Sequence, residues 1–492
     1  MSGFDAVIRE VEVHDGSGAP PFVADVAIQG DCIAAVGAVS AGARETLAGK
    51  GLALAPGFID VHTHDDFAAL RHPDMAFKLA GGVTTCIVGN CGFGPAPFDA
   101  ASKMLLASTV RSALEPWEGH AGYAAALERN PPGTNIGMLI GHGTVRAAAM
   151  GMENRVPAAS EMAAMKAIVA EGLEAGALGI SSGLVYDPGR FAATDELIEL
   201  AALMHGTGAL YATHMRDEGQ KLLDSVREAI AIGEQAGVPV QISHHKASGR
   251  TAWGLVRESL NLIEEAQRRG LDVHADQYPY TAGSTILAAV FREGKLRGLV
   301  GDLTGADVVI ASSSRHPEWE GKSLAALGEA MGCSVEDAAT RVLAEDRGAT
   351  VILHAMCEED VRTVMRHPST MIGSDGIPTL EGKPHPRLYG SFARVLGRYA
   401  RDEKLFSLAE AVHRMTGFSA RKFGLRDRGL VKEGARADLV LFDPRKVLDL
   451  GTFEDPHRTP AGIEAVFVNG VKAISTGKPT GARAGRVLRR SN

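Results

Sequence analysis

The stretch GFIDVHTHDD, residues 57–66, ends an apolar run in two histidines one residue apart. Side chains on a strand alternate with a period of two, so His62 and His64 project to one face. Two imidazoles there can hold a metal ion or stand as ordinary polar residues. Further along, Cys91 lies in TTCIVGNCGFGPAP, His214 in YATHMRDEG, His244 and His245 in VQISHHKASG, and Asp375 in TMIGSDGIP. Imidazole, thiolate and carboxylate are the ligand types of Zn2+, whose catalytic sites use three protein ligands and one open position. A single histidine at a strand end is ordinarily a satisfied polar residue. A free cysteine is ordinarily a small buried hydrophobe, as the mid-strand Cys86 is expected to be. Joint placement of these residues is what points to chemistry.

That placement depends on the elements beneath. Apolar runs at 52–61, 83–88, 135–140, 178–182, 210–213, 238–242, 271–275 and 371–373 read as strands. Between them lie alanine-rich helical segments such as SEMAAMKAIVAEGLEAGA and QKLLDSVREAIAIGEQAG, the second stopping at Gly237. Alternating strands and helices predict an α/β fold with a parallel sheet, and eight such units close a TIM-like (β/α)8 barrel. Catalytic side chains then collect at the carboxyl ends of the strands. His62 and His64 end the first strand, Cys91 follows the second, His214 the fifth, His244 the sixth and Asp375 the last.

The span from about 285 to 348 breaks the rhythm and reads as an inserted lid over the barrel mouth, with a ninth apolar run, 351–354, as its return. Short alternating strands between residues 4 and 54, matched by Val- and Leu-rich strands after 425, predict a small β-sandwich domain built from both termini. The expected organisation is 1–54 and 425–492 for that domain and 55–424 for the barrel.

A chain of 492 residues with 45% hydrophobic and 22% charged residues has ample material for a folded core. The net charge of −8 and the lack of a long Lys/Arg block argue against a nucleic-acid partner. The N-terminus MSGFDAVIREVEVHDG carries acidic residues and no apolar signal core, and no run reaches membrane-spanning length, so a cytoplasmic protein without a membrane partner is expected. Cys32, Cys86, Cys91, Cys333 and Cys357 are too scattered, and odd in number, for a disulfide framework.

The motifs PGFIDVHTHDD, GVTTCIVGNCGFGPAP, GHGTVR, GISSGLVYDPG, YATHMR, QISHHK, DQYPYTAGST, IGSDGIP and HPRLYGSFARVLG together resemble the amidohydrolase superfamily and, within it, the N-acyl-D-amino-acid deacylases. The resemblance runs over nearly the whole chain. The first motif marks the superfamily; the Cys-bearing GNCG with SHHK and HPRL is much narrower. It implies zinc, with Cys91, His214 and His244 as ligands of a tightly held ion, and His62 and His64 with Asp375 at a weaker second position. Many relatives bridge two metals through a carboxylated lysine on the fourth strand; LGISSGLVYDPG has none, and Cys91 takes that role.

The resemblance further implies hydrolysis of the amide bond of N-acyl-D-amino acids, a small-molecule substrate. A bound metal lowers the pKa of water from 15.7 to about 7 and polarises the carbonyl. Asp375 is the expected general base and acid. Lys246 and Arg387 match the family's carboxylate-binding positions, with Tyr186, Tyr278 and Ser284 as hydrogen-bonding partners. Arg292 is a candidate cation for an acidic substrate side chain, against the plainer reading of an exposed helix-start charge. Competing readings are a cyclic-amide hydrolase of the hydantoinase or dihydropyrimidinase type, a deaminase, and an inactive barrel with a structural role.

Overall fold

The computed structural model describes residues 3–104, 114–296 and 302–490. Eight strands pair in chain order, each parallel to the next: β1 (Phe58–Asp60), β2 (Val83–Val88), β3 (Asn135–Gly141), β4 (Gly179–Gly183), β5 (Leu210–His214), β6 (Val240–Ile242), β7 (Val273–Gln277) and β8 (Thr370–Ile372). Every residue of β2, β3, β4 and β5 is buried, as expected for parallel strands covered on both faces. Helices cross between them, among them Ala159–Glu174 after β3 and Leu222–Ala236 after β5. The second stops at Gly237, whose left-handed φ of +67° ends the helix at little cost.

Closure of the barrel is unusual. Among the described residues, β8 and β1 are joined beyond their ends, by a single parallel bridge between Thr63 and Gly376. The His64 N–H donates to the Gly376 carbonyl at 3.0 Å, and the Asp375 N–H donates to the His62 carbonyl at 2.7 Å. The residues that shut the barrel are those singled out from the sequence.

The first predicted strand, 52–61, divides between two sheets. Ala53–Pro56 pairs antiparallel with Leu439–Phe442 in the small domain, and only Phe58–Asp60 enters the barrel. Gly57 makes the transition possible, because a Cβ there would lie 2.1 Å from Thr84 Oγ1. The small domain's N-terminal piece therefore runs to Pro56 rather than to residue 54. Both termini build one nine-stranded, largely antiparallel sheet over a core that includes Ile8, Val11, Val26, Leu54, Leu439 and Phe467. It curls until Cys32 bridges Arg436.

The C-terminal piece is not confined to that sheet. Val487–Leu488 pairs in parallel with Ile136 and Gly137 of β3, whose pairing to β4 begins only at Leu139. This last strand covers a barrel edge that would otherwise leave backbone groups unpaired.

The insertion is a structured unit. Gly283–Ile286, Thr350–Leu353 and Val308–Ser312 form a three-stranded antiparallel sheet, with Thr350–Leu353 central, so the ninth run is indeed the return from the insertion. Helices Leu324–Met331 and Val335–Glu345 pack on it around Leu287, Val290, Val308, Ile310, Leu327 and Val342. Residues 297–301 of the insertion lie outside the described residues. No described helix is long and apolar enough to cross a membrane.

Candidate metal centre

The strand-end residues converge. Cys91 Sγ lies 3.3 Å from His62 Nε2 and 3.4 Å from His244 Nε2. Asp375 Oδ1 lies 3.5 Å from His62 Nε2 and 3.3 Å from His64 Nε2. The His214 ring sits 4.4 Å from that of His244. Three overlapping sets of donors result, His62 with Cys91 and His244, His62 with His64 and Asp375, and His214 with Glu218 and His244. His62 and His244 are common to two sets each, so the ligands form one continuous centre.

Backbone geometry aims these groups. Cys91, His244 and Asp375 follow β2, β6 and β8 by two or three residues, with φ of +53°, +36° and +50°. Left-handed conformations are uncommon for residues with a Cβ, and the cost is characteristic of functional sites. The Cys91 loop lies directly on β4: the Gly92 N–H donates to Ser181 Oγ at 3.0 Å, and a Cβ at Gly183 would sit 1.9 Å from the Cys91 carbonyl oxygen. The fourth strand thus offers only small residues against the cysteine loop, and there is no lysine to bridge metals from it.

Bracing comes from residues that the sequence reading did not single out. Glu218 Oε1 lies 2.9 Å from His244 Nδ1 and accepts from Lys246 Nζ at 2.7 Å. Asp276 Oδ1 accepts from the His244 backbone N–H at 2.8 Å and stands 3.5 Å from His62 Nδ1. On the opposite flank, Lys78, 1% exposed, donates to Asp60 Oδ2 at 2.7 Å, Thr63 Oγ1 at 2.8 Å and Ser374 Oγ at 3.0 Å, and pairs with Asp65 at 3.2 Å. Asp276, at the carboxyl end of β7, was within reach of the strand-end rule. Lys78, in AFKLAGG, and Glu218, in MRDEGQ, carry no such signal.

The electrostatics favour a metal. Burial alone would push the Cys91 thiol up, but the imidazoles of His62 and His244 outweigh it and hold the group well below the ordinary thiol range. Burial would likewise raise Asp375, yet Arg387, whose Nη1 is 2.9 Å from Oδ2, and His244 hold it well below the ordinary carboxylate range. Both nitrogens of buried His214 lack a hydrogen-bond partner, an expensive state that a metal would relieve. Thiolate with imidazoles is a zinc donor set, and ligand atoms on a tetrahedral zinc stand about 3.5 Å apart, close to the sulfur–nitrogen distances here. The residues fit the ion.

Most of the expected substrate contacts border this centre. Tyr186, Lys246, Tyr278 and Ser284 line a cavity of about 30 Å3 together with His214, Glu218, His244 and Asp375. Arg387 stands behind it, 1% exposed, donating to the Ser284 carbonyl at 3.1 Å and stacked 4.5 Å over the Tyr278 ring. His245 turns away to Ser259 Oγ at 2.8 Å, and burial lowers its pKa to about 4. Arg292 is half-buried outside the cavity, donating to the Val185 carbonyl and 3.9 Å from Asp187, so it is neither an exposed charge nor in contact with the centre.

The family model described as Amidohydrolase family matches residues 45–473. A D-aminoacylase of Alcaligenes xylosoxydans xylosoxydans is 42% identical over 490 residues, 99% of this chain and 98% of that protein. An N-acyl-D-glutamate deacylase of the same organism is 42% identical over 489 residues, 99% of this chain and 96% of that protein. The crystal structure of N-acyl-D-glutamate deacylase from Bordetella bronchiseptica, complexed with zinc and a phosphonate inhibitor that mimics the reaction's tetrahedral intermediate, matches with a TM-score of 0.90. Its identity is 38%, over 99% of this chain and 100% of that chain.

Proposed function

The chain belongs to the amidohydrolase family, in its N-acyl-D-amino-acid deacylase branch, and from that premise we propose how its residues divide the work. It is a hydrolase that cleaves the amide bond of N-acyl-D-amino acids, giving a carboxylate and a free D-amino acid. The observation that carries the reading is the centre of one thiolate, four imidazoles and one carboxylate at the strand ends, with the cysteine loop seated on β4.

Cys91, His214 and His244 would hold the principal zinc, and His62 and His64 with Asp375 would frame a second, weaker position. Zinc bound there would supply Lewis acidity toward the amide carbonyl and acidify a water molecule. Asp375 moves the protons. Kept ionised by Arg387, it takes one from the attacking water as the C–O bond forms and delivers it to the nitrogen as the C–N bond breaks. Lys246 and Arg387 bind the substrate carboxylate, assisted by Tyr278, Tyr186 and Ser284. Burial would lower the Lys246 pKa, but Glu218 more than offsets it, so the ammonium stays charged.

The insertion contributes Ser284, Thr285 and Leu353 to the cavity wall and excludes water there. A cytoplasmic location suits the five cysteines, all of them free. The net charge of −8 suits a small-molecule substrate rather than nucleic acid. Hydrolysis of N-acetyl and N-formyl D- and L-amino acids, measured with metal content, tests the reading. The expected outcome is turnover of D-forms only, with at least one zinc per chain and activity lost on chelation. Turnover confined to L-forms would overturn it.

A further inference from the structure

A second cavity opens on the other side of Asp375. It measures about 250 Å3, against about 30 Å3 for the cavity that holds Lys246. Its wall is largely apolar, built from Phe67, Ala68, Phe93, Met104, Ile286 and Ile377, with polar groups toward Asp375 and at Arg71, His72 and Thr379. The two spaces share Tyr186, Ser284, Thr285 and Asp375, while His64 borders only the larger one and His214 and His244 only the smaller. An amide cleaved beside Asp375 therefore sends its two substituents into different cavities.

Charge decides which goes where. The amino-acid half carries a carboxylate, and the smaller cavity has Lys246 in its wall, with Arg387 behind Tyr278. Among the described residues, the larger cavity has Arg71, an exposed side chain, and the imidazoles of His64 and His72 in its wall, and His64 is already engaged by Asp375. The acyl half is left to face the apolar walls. An apolar protein cavity of about 150 Å3 accommodates benzene, so 250 Å3 has room for a phenyl ring with a linker. An acetyl methyl group would leave most of that wall in contact with water.

Building on the deacylase reading, we propose that the larger cavity is the acyl subsite and that it selects apolar acyl groups of phenyl size, such as phenylacetyl or hexanoyl, over acetyl. Buried apolar area far from the scissile bond raises kcat/KM when it is kept in the transition state.

The test uses zinc-loaded protein and N-formyl, N-acetyl, N-hexanoyl and N-phenylacetyl derivatives of D-leucine, D-glutamate and D-aspartate. For the amino acid best accepted, kcat/KM is expected to be at least tenfold higher for phenylacetyl than for acetyl. Equal or lower values would overturn the inference while leaving the deacylase reading intact. Turnover of none of these compounds would overturn both. Ala68→Phe, which fills the cavity, is expected to lower the phenylacetyl-to-acetyl ratio at least tenfold. Thr379→Phe, on a neighbouring loop of the same wall, should do likewise and covers the case in which Ala68→Phe fails to fold. An unchanged ratio in a folded variant would count against the subsite. So would a loss that follows the amino-acid side chain, since it would reverse the orientation.

Discussion

The two flanks of the metal centre are braced by opposite charges. On the β5–β6 flank, carboxylates stand behind an imidazole: Glu218 faces His244 Nδ1, and Asp276 takes the His244 backbone N–H. On the β8–β1 flank a buried ammonium does the bracing, with Lys78 tying Asp60 and Thr63 to Ser374, the neighbour of Asp375. There His62 Nδ1 has Asp276 only at 3.5 Å and makes no hydrogen bond. A carboxylate on the far nitrogen of a ligating histidine fixes its tautomer and raises its basicity. On the proposed roles, the first flank grips the ion, and the second holds the proton-transfer group steady without strengthening its neighbours as ligands.

Substitutions on each flank should separate these roles. The largest effect is expected from Asp375→Asn, which removes the base: kcat should fall about 10²–10⁴-fold while metal analysis still finds one zinc per chain. If zinc is lost together with turnover, Asp375 belongs to the gripping side and the contrast fails. Lys78→Met leaves Asp60 and Asp65 buried without their cation, a loss of about 3–5 kcal/mol that urea unfolding should register. Unaltered stability would mean that the clamp bears no strain. Smallest is Glu218→Gln, where zinc affinity should weaken about 10–100-fold by competition with a chelator. An unchanged affinity would deny the carboxylate any part in the grip.

The convergence of the candidate ligands was legible in the sequence and the residues that brace them were not, for a physical reason. His62, Cys91, His214, His244 and Asp375 each follow an apolar run, and a parallel barrel delivers all strand ends to one face. Their meeting follows from strand count alone. Lys78 sits in a short helix, Ala76–Leu79, whose sequence AFKL looks like any amphipathic turn. Its burial depends on Asp60, 18 residues away, and Ser374, 296 residues away, which local pattern cannot reveal. The same limit hid the division of 52–61 between two sheets, since both halves are apolar and the switch occurs at Gly57, where a Cβ would collide with Thr84. It also hid the return of Val487–Leu488 to the barrel, because a two-residue strand has no periodicity to read.

The seam between β8 and β1 ties chemistry to folding. The bond from the Asp375 N–H to the His62 carbonyl joins residues 313 positions apart. Loops of that length close slowly, after local structure has formed. On the roles proposed for Asp375 and the strand-end imidazoles, a chain with only its first seven strands assembled would hold its thiolate and imidazoles without a base beside them. Turnover during refolding is then expected to begin only when the last strand docks, and its onset would report completion of the barrel itself.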